Sequence, residues 1–352
     1  MKQDMQQSIE LLKKLIATPR ISRDETAAAD IFEQEMRLRG LEPQRLHNNL
    51  WEVAPGYDAN RPTLLLNAHI DTVRPVSAWT RNPHEPTLTP DGQLFGLGSN
   101  DDGASLVTLL ATYCALRNTQ QSYNLVFLAS AEEEVSGKNG IESVLPLLPP
   151  ISVALVGEPT GMQPAIAEKG LMVLDCTAHG KAGHAARNEG DNAIYHALED
   201  IAWLQSYRFP NESPLLGPVK MTVTIIQAGT QHNVIPDQCT FTVDVRSNEC
   251  YSNEDIYKKV CACVKGEVKA RSFRLNSSRI SLDHPLTQRA LELGRRPFGS
   301  PTLSDQALMS FPSMKMGPGD SSRSHTADEF IKVEEIRQAL HLYHSLLDDL
   351  RL

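Results

Sequence analysis

Met5, Ile9, Leu12 and Ile16 recur at helical spacing, so the chain is expected to open with an amphipathic helix over 5–15. A second helical pattern runs from Glu25 to Arg39, with Gly40 placed to end it. The period then changes. Segments 63–66, 125–128 and 153–156 are short apolar runs without alternation, and 313–316 is a weaker fourth. Strands buried on both faces have this character. Helical patterns lie between and after them, over 104–117, 140–147, 286–294 and 333–350. Strand and helix in alternation predict an α/β domain.

The middle of the chain differs. Segments 170–178, 219–228 and 239–246 alternate apolar with polar residues and are rich in β-branched side chains, as half-exposed antiparallel strands are. Helical patterns at 193–205 and 253–265 and a further strand pattern at 267–275 complete a β-α-β-β-α-β order, the ferredoxin-like arrangement. The expected organisation is a split α/β domain, 1–167 and 278–352, with a smaller α+β domain inserted at 168–277.

Composition narrows the class. At ~150 residues per domain, 352 residues suggest two domains. With 41% hydrophobic residues the chain has enough apolar surface to bury, which excludes a disordered polymer. A net charge of −9 without a basic stretch argues against nucleic acid and anionic membranes as partners. Gln, Glu and Lys interrupt the apolar residues of the first segment, so no signal peptide is read there. No apolar run approaches the ~18 residues of a membrane span. The six cysteines, Cys114, Cys176, Cys239, Cys250, Cys261 and Cys263, are then expected to be free thiols in a cytoplasmic protein.

Chemistry enters through position. His69 and Asp71 follow the first apolar run, Glu132, Glu133 and Glu134 the second, Glu158 the third, and His325 lies beyond the fourth. Asp101 belongs to a glycine-rich turn just before the 104–117 helix. Each has an ordinary reading: a hydrogen-bonded histidine, a solvated acidic loop, a helix cap. Those readings do not account for the coincidence. Ligand sites in open α/β sheets lie beyond the carboxyl ends of the strands. Carboxylates gathered there repel one another unless a cation neutralises them. Two histidines with several carboxylates suit a pair of divalent ions, and a spare carboxylate beside such a pair can accept a proton from water. His69-x-Asp71 places both side chains on one face, where Asp71 can hold the second ring nitrogen of His69. Gly-x-Ser-x-Gly, His-Glu-x-x-His and a phosphate-binding loop are absent, and Gly96-Leu-Gly98 lacks the third glycine of a dinucleotide fingerprint.

The segments Leu66-Asn-Ala-His69-Ile-Asp71, Gly96-Leu-Gly-Ser-Asn-Asp101-Asp, Ala131-Glu132-Glu133-Glu134, Val156-Gly-Glu158-Pro and Ser324-His325-Thr-Ala-Asp-Glu together resemble the motifs of the dinuclear zinc amidohydrolases. That group includes acetylornithine deacetylase, succinyl-diaminopimelate desuccinylase, carboxypeptidase-G-type enzymes and aminoacylases. The resemblance runs through essentially the whole chain. It implies a zinc-peptidase-like domain with a central mixed sheet flanked by helices, plus an inserted dimerisation and lid domain. It also implies that His69 and Glu158 hold one ion, that Glu133 and His325 hold the other, and that Asp101 bridges. Glu132 becomes the general base and Asp71 the support of His69. Zinc is the expected metal, with cobalt or manganese as alternatives.

In the inserted domain, Gly180-Lys-Ala-Gly183-His184 resembles the segment whose histidine reaches the partner subunit's site and stabilises the oxyanion. Gly229-Thr-Gln-His-Asn233 and Asp244-Val-Arg246 resemble segments that contact the substrate carboxylate through Asn233 and Arg246. A homodimer follows. The implied activity is hydrolysis of an N-acyl amino acid, N-acetyl- or N-succinyl-L-ornithine first, in arginine biosynthesis. Alternatives are desuccinylation of succinyl-diaminopimelate, N-acyl-lysine deacylation, a dipeptidase or exopeptidase, and a non-catalytic metal-stabilised binding protein. The chain departs from the pattern in three places. Gly103 stands where many relatives have lysine, Ala185 stands where serine is usual, and Glu134 adds a third acid that leaves two registers open. Val135-Ser-Gly favours Glu132 as base and Glu133 as ligand.

Overall fold

Strand Thr63–His69 is buried along its whole length, and so are Asn124–Ser130, Val153–Val156 and Ser313–Lys315. Their apolar runs have no polar alternation because both faces are covered. Leu64 and Leu66 join Phe127, Leu155 and Met314 in one core, while Leu65 joins Val126, Leu128, Ala154 and Val156 in another. The computed structural model that shows this describes residues 2–352.

The strands lie in the order Gln44–Leu46, Asn49–Val53, Asn124–Ser130, Thr63–His69, Val153–Val156, Ser313–Lys315, Ala165–Glu168. Thr63–His69 is parallel to both neighbours, and Ser313–Lys315 is parallel to Val153–Val156. Asn49–Val53 pairs antiparallel with Asn124–Ser130, and Ser313–Lys315 pairs antiparallel with Ala165–Glu168, so the sheet is mixed. Helix Ala104–Leu116 is apolar nearly all round and is buried accordingly. Lys2–Ile16 and Val333–Leu347 show only one apolar stripe and present their charged faces outward.

Contacts divide the chain into two units. One comprises residues through Ile166 with 280–298 and 304–352; the other comprises 167–279 with 299–303. The short second piece joins the inserted unit because Lys169 N donates to Ser300 O at 3.1 Å. In that unit four antiparallel strands lie in the order Lys220–Ala228, Gln238–Arg246, Met172–His179, Glu267–Ala270. Helices Ala193–Ser206 and Asn253–Cys261 supply the crossings, and one face of the sheet holds the apolar core. This is the ferredoxin-like order.

Some elements differ from expectation. The 140–147 helix is one α-helical stretch, Ile141–Val144, followed by a tighter turn at Leu145–Leu147. Pro146 lacks the N–H needed to continue an α-helix. A small sheet of Phe330–Lys332, Gln93–Phe95 and Thr87–Leu88 was not visible as a pattern, because strands of two or three residues carry no period. It pairs Phe330 with Phe95 and thereby sets Glu329 beside the turn that carries Asp101. All six cysteines are free. No helix among the described residues is long and apolar enough to cross a membrane.

Candidate metal centre

His69 ends the strand Thr63–His69 and is buried. Its Nε2 lies 3.1 Å from Asp101 Oδ1, 3.8 Å from Glu133 Oε2 and 4.0 Å from Glu158 Oε1. Its Nδ1 lies 3.0 Å from the backbone oxygen of Asp71 and 3.5 Å from that residue's carboxylate. The support expected from the Asp71 side chain therefore comes first from its main chain. The carboxylate has other work. It accepts from Ser22 Oγ at 2.6 Å, Glu133 N at 3.0 Å and Glu134 N at 3.2 Å, so it holds the acidic turn in place.

Asp101 lies in the turn Ser99–Gly103, ahead of the buried helix, and joins Asp102 through a cis peptide bond. One of its oxygens faces His69, and the other lies 3.7 Å from His325 Nε2. Glu329 stands behind the turn. Its buried carboxylate accepts from the backbone N–H groups of Gly98, Asn100 and Asp101 at 2.9, 2.8 and 2.9 Å.

In the acidic turn the side chains pair differently from the expected register. His325 Nε2 meets Glu134 Oε2 at 2.9 Å, not Glu133. Glu133 faces His69 and Glu158 instead. Glu132 turns away and accepts from Asn139 Nδ2 at 3.1 Å. The backbone explains why three consecutive acids point three ways. Glu132 takes φ +53, Ser136 takes φ +44, and residues 133–135 form a single tight turn between them. Gly137 is required here, because a Cβ on it would lie 1.8 Å from Glu132 Oε2. The Val-Ser-Gly segment thus packs Glu132 and does not aim it at the centre.

Protonation follows from burial. Desolvation raises Glu133, and the charges of Glu158 and Glu134 raise it further. Glu158 is likewise well above the usual carboxylate range through burial, although the Lys315 charge opposes the shift. Burial raises Glu134 against the pull of its hydrogen bond to His325. That same bond lifts His325 to about 9. Burial would lower His69, but Asp101 and Asp71 drive it well above its ordinary value. Burial pushes Asp102 to about 8, Glu329 to about 7 and Asp305 to about 6. So many raised acids around two raised imidazoles describe a centre short of positive charge, the condition divalent cations relieve. Among the described residues, His69, Glu133 and Glu158 form one group of ligand atoms within 4.8 Å, and His69, Asp101 and Glu134 form another. The donor set is nitrogen and oxygen, which fits zinc, manganese or cobalt.

Sequence reasoning overlooked Arg20, Glu329, Asp305 and Lys315, all buried here. Asp305 accepts from Ser130 Oγ at 2.5 Å beneath the acidic turn. Lys315, between Met314 and Met316, carried the one available signal, a charge inside an apolar run; the other three lie in polar stretches. His184, Asn233 and Arg246 lie in the inserted unit. His184 pairs with Val234, and Ala185 N donates to Asn233 O at 3.0 Å, so these two segments are neighbours. Arg246 closes the strand Gln238–Arg246 and places two nitrogens on Asp244, at 2.9 and 3.1 Å.

The imidazoles of His69 and His325 thus meet four carboxylates, those of Asp101, Glu133, Glu134 and Glu158, in the kind of donor set a metal-dependent hydrolase uses. Residues 65–349 match the sequence profile of peptidase family M20/M25/M40, and the chain belongs to that family. It is 27% identical over 365 residues to a succinyl-diaminopimelate desuccinylase of Corynebacterium glutamicum, covering 97% of this chain and 96% of the relative. Among solved structures it is similar to a dinuclear metal binding peptidase, YXEP, of Bacillus subtilis (18% identity, TM-score 0.74, 99% and 100% covered). It is also similar to aminopeptidase PepT of Bacillus cereus (17% identity, TM-score 0.75, 98% of each chain).

Proposed function

We propose that this metal-dependent hydrolase cleaves the amide bond of N-acyl amino acids, with N-acetyl- or N-succinyl-L-ornithine as first substrates. The observation that supports it best is the sorting of the acids. Asp101 shows one oxygen to each histidine, Glu134 meets His325, and Glu133 and Glu158 both lie within 4.0 Å of His69, where our reading takes Glu158 as ligand and Glu133 as the group that moves a proton. His69, Asp101 and Glu158 would hold one cation, and Asp101, Glu134 and His325 the other. Bound cations would offset the carboxylate charge and act as Lewis acids toward the substrate carbonyl.

Glu133, and not Glu132, then carries the proton. Its carboxylate, 3.8 Å from His69 Nε2 and not paired with His325, is placed to take a proton from the attacking water and return it to the leaving amine. Asp71 fixes its backbone, and with it the direction of the carboxylate.

The inserted unit supports a homodimer. Asn233 precedes the start of the strand Gln238–Arg246 and Arg246 ends it, so they flank opposite ends of a strand about 27 Å long. On our reading the two reach one substrate carboxylate from different copies. His184 of the partner subunit would enter with Asn233 and stabilise the oxyanion. The outermost strand, Lys220–Ala228, exposes Ile225 and Ile226 on an unpaired edge.

The C. glutamicum relative supports a second reading, succinyl-diaminopimelate as substrate. Release of free amine from acetyl-ornithine, succinyl-ornithine, succinyl-diaminopimelate and a dipeptide panel separates the readings. Cleavage of dipeptides alone would reject the acyl amino acid assignment.

A further inference from the structure

An arginine lies buried behind the acids, and no step proposed above uses it. Arg20 follows the helix Lys2–Ile16 and is 1% exposed. Guanidinium stays charged in an interior, so burial must be matched by acceptors and counter-charge. Nη1 donates to Ile70 O at 2.5 Å and Nη2 donates to Gly98 O at 2.7 Å. Ile70 sits between His69 and Asp71, and Gly98 leads into the turn with Asp101. Glycine makes room for the fork: a Cβ on Gly98 would lie 2.4 Å from Nη2, and one on Gly103 would lie 3.0 Å away. Glu329, Asp71, Asp102 and Asp101 supply the counter-charge.

These contacts divide the ligands into two preassembled halves. Asp71 gathers His69, Glu133 and Glu134 through their main-chain or ring nitrogens. Glu329 gathers the turn with Asp101. Asn100 then laces that turn to the segment with His325, since its amide donates to Asp320 O at 3.1 Å and Ser324 Oγ at 3.3 Å and accepts from Asp320 N at 2.9 Å. Arg20 is bonded to both halves. Its own position is fixed by Thr72 N, which donates to Arg20 O at 2.8 Å.

We propose that Arg20 is a positioning residue of the cation centre, whose two-pronged hydrogen bonding sets the distance between the His69 half and the Asp101 half. This rests on the reading that Asp101 is shared by two cations. Lysine keeps the charge but reaches one carbonyl only, whereas methionine keeps the bulk and loses both.

The test is titration of chelator-treated full-length protein with Co2+, read by calorimetry and by the visible spectrum, on wild type, Arg20→Lys and Arg20→Met. Both variants are expected to bind at least one ion about tenfold or more weakly, as loss of a residue behind a metal ligand does. Both should show an altered cobalt spectrum, and kcat at saturating metal should fall about tenfold with KM nearly unchanged. Wild-type affinity, spectrum and kcat in Arg20→Lys would overturn the proposal, because charge alone would then suffice. Should both variants unfold, Gly98→Ala crowds Nη2 while the arginine remains, and the same spectral shift is expected. An unchanged spectrum there overturns the proposal as well. Wild type that binds only one Co2+ would defeat the shared-cation reading itself, before any variant is compared.

Discussion

His325 Nε2 lies 2.9 Å from Glu134 Oε2, across 191 residues of sequence, whereas Glu133 faces His69 from the same turn. Adjacent acids therefore serve different partners. Glu134→Gln is expected to lower bound zinc from two ions per chain toward one. Metal analysis after equilibration with a weak chelator reads this directly; two retained ions would refute the pairing.

The packing of Glu132 against Gly137 makes a second prediction. Gly137→Ala puts a Cβ 1.8 Å from Glu132 Oε2 and 2.5 Å from its Cβ. The turn must shift, at a cost of about 1–3 kcal/mol. Activity should fall with it. Glu132→Gly removes both the carboxylate and the Cβ, at a position whose φ of +53 glycine adopts freely, so the double variant should recover most of both losses. A double-mutant cycle measures the coupling, and additive losses would contradict the packing.

Cation binding should depend on pH in a definite direction. Burial raises Glu133 and Glu158, and it brings Asp305 to about 6, Glu329 to about 7 and Asp102 to about 8. An acid whose folded pKa exceeds its unfolded value of about 4 binds more protons when folded. Its contribution to stability is present at low pH and lost as pH rises through the folded pKa. His325, held near 9 by Glu134, adds stability that is lost in the same direction. The cation-free protein should thus lose stability between about pH 4 and pH 9, and added zinc should offset the loss. The zinc-induced rise in Tm should be at least about 5 °C larger at pH 8 than at pH 5.5. Equal shifts at both values would count against the site.

The exposed edge in the inserted unit offers a fourth test. Ile225 and Ile226 are each 51% exposed on the outermost strand. Replacing both with lysine should convert a dimer to a monomer in sedimentation, because charge on an edge blocks strand addition. Turnover should fall at least about tenfold if His184 acts across the interface. A fully active monomer would remove His184 from the mechanism.

Much of this was legible in the chain. Unbroken apolar runs marked the doubly buried strands, alternation marked the half-exposed ones, and the ligand candidates stood at strand ends where a sheet gathers them. What stayed hidden had no pattern to show. Backbone φ at Glu132 and Ser136 decides which acid faces inward, and side-chain identity does not reveal it. The three-stranded sheet around Gln93–Phe95 is too short for a period, so Glu329 seemed only the end of a motif. Arg20 lies in a polar stretch with no pattern that marks burial. At Gly103, where the resemblance led one to expect lysine, a Cβ would lie 2.4 Å from Gly98 O, 2.6 Å from Leu12 Cδ1 and 3.0 Å from Arg20 Nη2.

On the proposed reading Glu133 moves the proton while Glu132 only packs. The direct measurement is single-turnover hydrolysis of N-acetyl- and N-succinyl-ornithine by zinc-loaded Glu132→Gln and Glu133→Gln. Glu133→Gln should retain both ions and lose about 10²–10⁴-fold in rate, with Glu132→Gln within a few-fold of wild type. The reverse order, with Glu132→Gln inactive and Glu133→Gln active, would contradict the account.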